Sequence, residues 1–487
     1  MLNRRNLTLV GVVVFALAAY ISGGHHHPDE HFQILEFADY KLGITAAHEL
    51  PWEFREQIRP GLQPFLVYLA GSCWHACGFQ DPFVLSFLLR LCLAALNLFC
   101  FVWLSRLLAP DFKQPNTSNI LLGLSIFVWY MPYIAVRFSS ENGSAALFLA
   151  GIAFLMEALR RSGKLDWRWP IAGLLFGLSF FMRYQIGFAL VGVMAWLVLK
   201  QKSDWRSLAL FAVGGLAGGV IGLSADYWLY GSLVWTPWNY FRSNVLEGRM
   251  LDFGISPWWF YFPEYIVRAV PPVSLVLLGF LAWGIYKKPG HLFTGFIVPF
   301  VLAHIVIKHK EMRFLFPMAY PMLFLVAVGW EALWENIKRP RLANGLLKLT
   351  LVINGLLLLP VLTRPALDCL PCYKYLYYEA RKRPLVLYAE KESPYLLAGL
   401  HTHFYDPPNL TVVLVDQFAD LADTSCYTLH PGDLLLHRRL TLPPIGPGIR
   451  TERVFAGLPD WVLQFEFGGW QERSRVWSVY EVMRDER

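Results

Sequence analysis

Hydrophobic positions along this chain fall in long unbroken blocks, not in the narrow stripes of a soluble fold. The blocks run at 7–22, 82–106, 119–136, 144–160, 169–183, 184–200, 207–229, 271–286, 291–307, 314–334 and 345–363. Each is near the length that crosses about 30 Å of hydrocarbon, so the pattern predicts about eleven membrane spans. Arg4 and Arg5 precede the first block, which reads as an uncleaved span because Ser22-Gly23-Gly24 leads directly into an ionisable loop. Arg183 interrupts the stretch 169–200, which is therefore expected to be two spans with a tight turn between them. A further helix-like segment at 62–79 contains Pro64, Gly71, His75 and Gly78 and is expected to be re-entrant or interfacial.

Past residue 364 the pattern changes. Pro384–Tyr388, Leu410–Val415, Asp433–Leu436 and Trp461–Phe465 are short apolar runs bounded by Pro, Gly and Asp, and Arg475–Tyr480 alternates. These predict strands. The expected organisation is a transmembrane module at 1–364, with a long first outer loop at 23–81, and a soluble extracytoplasmic α/β domain at 365–487 without a Gly-rich phosphate loop. Cys369 and Cys372 form a CxxC pair at its start, open to either a disulfide or a reduced pair.

Composition agrees with the block pattern. The 487 residues are 55% hydrophobic and only 16% charged, against about 25% charged in soluble domains. The net charge of +7 does not indicate nucleic acid, because the basic residues sit in short clusters between apolar runs. Clusters such as Arg4–Arg5, Arg160–Arg161, Lys200–Lys202, Lys287–Lys288 and Lys338–Arg339 fall on one side when the N-terminus is inside. An even number of crossings then separates the loops at Asp29 and Lys310, placing both on the non-cytoplasmic face. Short loops and the tail's composition point to a bacterial inner membrane with a periplasmic site, the alternative being an endoplasmic reticulum membrane with a lumenal site.

Two loops carry candidate chemistry. In Gly24-His-His-His-Pro-Asp-Glu-His31, Asp29 and Glu30 lie among four histidines at the membrane surface. Ionisable groups beside hydrocarbon are costly and mark function. A carboxylate here can take a proton from an attacking hydroxyl as a general base, or hold a divalent cation. The plainer alternative is a solvated loop in which Asp29 caps a helix. Zinc on the histidine run is disfavoured, since three consecutive histidines do not readily face one metal. The second loop, His309-Lys310-Glu311-Met312-Arg313-Phe314, sets three basic groups at a helix start. That arrangement suits a phosphate, although snorkelling cations at a helix end look similar. Between them, 231–270 is rich in aromatics, an interface belt or a surface for sugar and lipid.

These motifs resemble the mannosyltransferase superfamily of GPI-anchor and dolichol-linked oligosaccharide synthesis. His27-Pro28-Asp29-Glu30-x-Phe32-Gln33 with Leu35-Glu36 is similar to that family's opening motif. Trp52-Glu53-Phe54 through Ile58-Arg59 is similar to its second block, with Pro51 and Pro60 where threonine and serine are usual. His309-Lys310-Glu311-x-Arg313-Phe314 resembles a third, and Arg137, Glu141 and Arg183 resemble further positions. The resemblance implies a GT-C fold and a hexose, mannose above all, carried on a polyprenyl or dolichyl phosphate. The acceptor is a glycan or glycolipid hydroxyl, attacking with inversion. It implies Asp29 and Glu30 as catalytic residues, Asp29 as the base. It implies His309, Lys310, Glu311, Arg313, Trp52, Glu53, Arg59, Arg137, Glu141 and Arg183 as substrate contacts. No cofactor is expected as a certainty, and a divalent cation at Asp29 and Glu30 is the one the residues allow. The rival class is a transporter or flippase of a lipid-linked sugar, which needs ionisable groups near mid-membrane.

Overall fold

The computed structural model describes all residues except 1–2, 162–165, 335–339, 391–392, 398, 424, 444, 447–448 and 484–487. The expected basic cluster Lys338–Arg339 lies outside the described residues. The chain divides into two compact units. The first contains Met1–Ser22, Trp52–Trp74 and Ser86–Arg364; the second contains Gly23–Pro51, His75–Leu85 and Pro365–Arg487.

The first unit is a bundle of apolar helices. Arg4–Ile21, Pro82–Leu107, Ser140–Leu159, Trp205–Tyr230, Met312–Trp334 and Arg341–Val361 are each long and apolar enough to cross a membrane. Shorter apolar helices occupy Arg168–Met182, Tyr184–Lys200, Val273–Lys287 and Leu292–Val306. This is an integral membrane protein. One close helix crossing, Arg168–Met182 against Trp205–Tyr230, depends on missing side chains. A Cβ on Gly173 would fall 1.9 Å from the Phe211 carbonyl oxygen, and one on Gly214 would fall 1.9 Å from that of Pro170. Small residues at a membrane interface let backbones approach, so van der Waals packing replaces the absent hydrophobic drive.

The expected continuous span at 119–136 is instead a broken pair, Thr117–Phe127 and Tyr130–Val136, bent by 73°. Pro132 explains the break. It has no N–H for the carbonyl of Val128, four residues back, and its ring clashes there. Val128 is extended, and Asn354 satisfies the opened backbone. Its amide donates to the Phe127 carbonyl at 2.6 Å, and its oxygen accepts from the Trp129 N–H at 3.0 Å. At Arg183 the helix does stop, at Met182. Arg183 is extended (φ −155°, ψ 116°), and the next helix opens with the tight turn Tyr184–Ile186 and continues from Gly187.

The second unit holds a five-stranded mixed sheet. With β1 Leu385–Glu390, β2 Leu396–Leu397, β3 Leu400–His401, β4 Leu410–Val415, β5 Leu434–His437, β6 Thr451–Ala456 and β7 Ser478–Val482, the order is β4-β1-β5-β7-β6, and β2 and β3 form a separate hairpin. β1 runs parallel to β4 and β5, and β7 runs antiparallel to β5 and β6. β5, Leu-Leu-Leu-His, has its three leucines buried in the sheet's centre. The helix Leu370–Ala380 belongs to this unit, with Tyr375 stacked on Phe455 at 4.7 Å. The run Trp461–Phe465, expected as a strand, begins instead with the helical turn Asp460–Leu463. Trp461 and Phe465 stay exposed, so no apolar face draws them into the sheet. Cys369 and Cys372 are buried free thiols.

Candidate active site

Within the second unit, the opening motif forms a kinked helical segment. His27 caps the turn Pro28–Glu30, its Nδ1 accepting from the Asp29 N–H at 3.2 Å. Proline at the first helical position fits, because that N–H has no partner in any case. The chain then continues as a π-helical turn, His31–Glu36, and a helix Phe37–Leu42, ending at Gly43 with φ +79°. Asp29 stays partly exposed, its Oδ1 3.3 Å from His27 Nδ1. Glu30 is buried, its Oε2 accepting from the His26 N–H at 3.0 Å. The two acids therefore differ in accessibility, Asp29 being the more exposed. Among the described residues, neither belongs to a group of three metal-capable ligands.

Glu36 anchors this segment. Its carboxylate, 1% exposed, lies 2.6 Å from His31 Nε2, accepts from the Thr45 hydroxyl at 2.7 Å, and accepts the backbone N–H groups of His403 at 2.7 Å and Phe404 at 3.1 Å. Burial pushes the Glu36 carboxyl up, but the His31, Thr45 and Phe404 hydrogen bonds outweigh it and hold it below its ordinary value. Asp39, one turn on and also buried, goes the other way. Burial first, then the Glu36 charge, holds its carboxyl well above the usual range.

The first unit gathers most of the other expected residues. Arg313 is bidentate on Glu311, Nε to Oε2 at 2.6 Å and Nη2 to Oε1 at 3.0 Å, and its Nη1 is 3.2 Å from Glu141 Oε1. The same Glu141 oxygen is 3.2 Å from Arg183 Nη1. The Arg183 guanidinium also donates to Ser140 at 2.9 Å and Gln185 at 2.6 Å. Both guanidinium groups pack near the Phe314 ring. His309 places Nε2 3.0 Å from Glu311 and Nδ1 3.2 Å from the Gly254 carbonyl. The Glu311 hydrogen bond, reinforced by Gly254, raises its pKa against the opposing effect of burial.

Lys310 differs from its neighbours. It is 5% exposed, and its ammonium donates to two carbonyls, Ser256 at 3.0 Å and Ile307 at 2.5 Å. No carboxylate among the described residues pairs with it, and burial lowers its pKa. It is a buried cation without a counter-charge.

The second block reaches this cluster through an aromatic bridge. Trp52 stacks on Phe253 at 6.3 Å, Phe253 faces His309 at 6.0 Å, and His309 faces Phe314 at 5.9 Å. Glu53 lies 3.5 Å from Arg59, which leans over Tyr240. Arg137 sits elsewhere. Fully buried, it donates to the Ser22 carbonyl and hydroxyl at the end of the first helix. Phe253, Gly254 and Ser256 were not singled out as site residues by sequence reasoning. Their signal is weak, a glycine at φ +101° that lets the backbone turn toward the 308–310 loop, where the Ser256 N–H also meets the Lys308 carbonyl at 2.9 Å.

Known proteins resemble this chain to different depths. ArnT from Cupriavidus metallidurans, solved bound to undecaprenyl phosphate, superposes over 97% of both chains with a TM-score of 0.56 at 11% identity, which is agreement in fold. The chain has that GT-C fold, many apolar helices with a small C-terminal sheet. GPI mannosyltransferase 3 of Candida albicans is 26% identical over 312 residues, 62% of this chain and 59% of the relative. GPI mannosyltransferase 3 of Trypanosoma brucei brucei is 27% identical over 357 residues, 62% of each. The chain thus spans less than two thirds of the length of these curated relatives. The profile of the Alg9-like mannosyltransferase family matches residues 7–364, the stretch that carries every motif above, and the chain belongs to that family.

Proposed function

We propose that this protein is a membrane glycosyltransferase that moves a hexose, mannose first, from a polyprenyl- or dolichyl-phosphate donor to a hydroxyl of a glycan or glycolipid. The observation that carries this reading is Lys310, a buried ammonium whose partners are neutral carbonyls. An uncompensated cation away from water costs several kcal/mol, and an anionic ligand removes that cost. Among the described residues, Arg313, Arg183 and His309 pair with two carboxylates, Glu311 and Glu141, and together with Lys310 the cluster carries more positive than negative charge for a leaving phosphate. Phosphate leaves readily and needs charge stabilisation more than a strong acid.

In this proposal the acceptor hydroxyl attacks the anomeric carbon as the lipid phosphate departs, giving inversion. Asp29 takes the hydroxyl proton, and Glu30, held by the His26 N–H, orients the loop. Lys310, Arg313 and His309 bind the donor phosphate, and Glu311 fixes the Arg313 fork. Trp52, with Phe253, Glu53 and Arg59, lines the approach of sugar or lipid. Asp29 and Glu30 are the residues that would hold a divalent cation at this loop. Residues 365–487 are proposed as a soluble extracytoplasmic domain, and the membrane as a bacterial inner membrane with its site toward the periplasm. Family membership weighs against a flippase.

The test is mass analysis of products after incubating purified protein in detergent with polyprenyl-phosphate mannose, glucose or aminosugar donors and glycolipid acceptors. Mannosylated product with released polyprenyl phosphate supports the proposal. Transfer only from a nucleotide sugar, or none in detergent but movement of lipid-linked sugar in sealed vesicles, overturns it.

A further inference from the structure

We propose that His401, His403 and Asp406 form a binding site for a divalent transition-metal ion of the zinc class, distinct from the Asp29–Glu30 loop motif. The three residues offer His Nε2 or Nδ1 and a carboxylate oxygen, all within 4.8 Å of one another. His401 Nε2 lies 2.5 Å from Asp406 Oδ2, and His403 Nδ1 lies 3.8 Å from the same oxygen. The two imidazole rings lie 4.4 Å apart between centroids, tilted by 51°. Tetrahedral zinc bonds of about 2.0–2.2 Å set neighbouring ligand atoms about 3.4 Å apart. The 3.8 Å pair is close to that spacing, and the 2.5 Å pair reaches it by parting about 1 Å, a small turn of a carboxylate.

The local chain explains why these atoms converge. His401 ends β3 of the short β2–β3 hairpin, and residues two apart on an extended segment share a face, so His401 and His403 point the same way. The Thr402 N–H donates to the Tyr395 carbonyl at 3.0 Å, and Tyr395 stacks on His401. Glu36 holds the N–H groups of His403 and Phe404 from beneath, and the Asp406 N–H donates to the His403 carbonyl at 2.8 Å, closing the turn. A donor set fixed by second interactions in this way is what precise ligation requires.

Two further observations separate this cluster from an ordinary His–Asp ion pair. Asp406 Oδ1 is buried with no hydrogen-bond partner among the described residues, an uncommon and costly state for a carboxylate oxygen. A bound ion or its water satisfies it. Glu49 Oε1 lies 3.3 Å from His403 Nε2, which makes no hydrogen bond among the described residues, so the carboxylate is placed to become its outer partner, while Glu49 Oε2 is held by the Ala46 N–H at 3.0 Å. A carboxylate on the far nitrogen of a histidine is the usual outer partner of a metal ligand, directing the other nitrogen's lone pair to the ion. Two imidazoles and one carboxylate suit zinc over magnesium or calcium, which favour all-oxygen sets. The three side chains remain 19–30% exposed, which leaves an entry path and a fourth position for water.

The test uses the full-length protein in detergent, stripped with chelator and dialysed against Zn²⁺, with bound metal measured by mass spectrometry. The stripped protein is also titrated with Co²⁺, whose visible absorption reports tetrahedral nitrogen and oxygen ligands. Wild type is expected to bind one ion per chain through this site, with affinity at least tenfold weaker in His403→Ala and Asp406→Asn. Glu49→Gln is expected to weaken it about tenfold, and Asp29→Asn to leave it unchanged. His401→Gln, which keeps a polar side chain, serves if the alanine variant does not fold. Absence of uptake by wild type, equal uptake by folded His401→Gln and Asp406→Asn, or loss of the ion in Asp29→Asn would each overturn the assignment.

Discussion

Replacing Lys310 by methionine separates stability from function at one side chain. Methionine keeps the length of the stem and removes the charge. In the protein without donor, the ammonium is buried against two carbonyls and no carboxylate. Its desolvation costs several kcal/mol, and hydrogen bonds from a charged donor return about 1.5–3 kcal/mol each. The balance is near zero or unfavourable, so Lys310→Met should change stability by less than about 1 kcal/mol or raise it. The pH dependence gives a second handle. Burial lowers the folded pKa of Lys310 below its unfolded value, so between those values the unfolded chain binds the extra proton. Wild-type stability therefore gains from this group as pH rises through the folded pKa, and the methionine variant lacks that gain. Donor use should fall about 10²–10³-fold, the usual loss when one charge-stabilising donor is removed from a reacting anion. The assay is denaturant unfolding in detergent, with and without a polyprenyl phosphate, beside turnover. A variant that loses more than about 2 kcal/mol, or that is stabilised by polyprenyl phosphate as much as wild type, would refute the argument that Lys310 awaits an anion.

Other consequences follow from the same contacts. Glu141→Gln leaves the Arg183 and Arg313 guanidinium groups facing each other without the shared carboxylate, and should cost about 3–5 kcal/mol in equilibrium unfolding. A loss under about 1 kcal/mol would mean that water already screens them. Asp39→Asn mimics the protonated acid that burial and Glu36 enforce. Because its folded pKa is raised, this group costs stability as pH climbs above the ordinary carboxyl range. The variant's melting temperature should therefore stay flatter than wild type from about pH 4 to pH 7. His309 titrates with a raised folded pKa, so its stabilising contribution is complete below its unfolded pKa and is lost as pH rises through the folded one. In His309→Gln that loss should vanish from the unfolding profile.

The spans and the two charged loops were legible in the sequence because they are local. Apolar length marks a helix, and the break at Arg183 is a charge inside a hydrophobic block. The bend after Phe127 was missed although Pro132 is in plain view, because Asn354, which makes the bend tolerable, lies over two hundred residues away. Glu36 reads as the end of the opening motif with no role of its own, since its partners at His403 and Phe404 belong to a distant loop of the second unit. Phe253, Gly254 and Ser256 lie inside the stretch 231–270 that reads as an aromatic belt, and only the fold pairs them with His309 and Lys310. Arg137 shows the opposite limit. Its place in a motif-like run gave no sign that Ser22 at a helix end would occupy it.

The division of labour between an acid for the acceptor and cations for the phosphate is tested most directly at Asp29. Purified wild type and Asp29→Asn, matched for folding by thermal unfolding, are compared for mannose transfer from labelled polyprenyl-phosphate mannose to a glycolipid acceptor. The account predicts a loss of about 10²–10⁴-fold, the range for a positioned general base, with donor binding retained. Near-wild-type turnover in well-folded Asp29→Asn would contradict it.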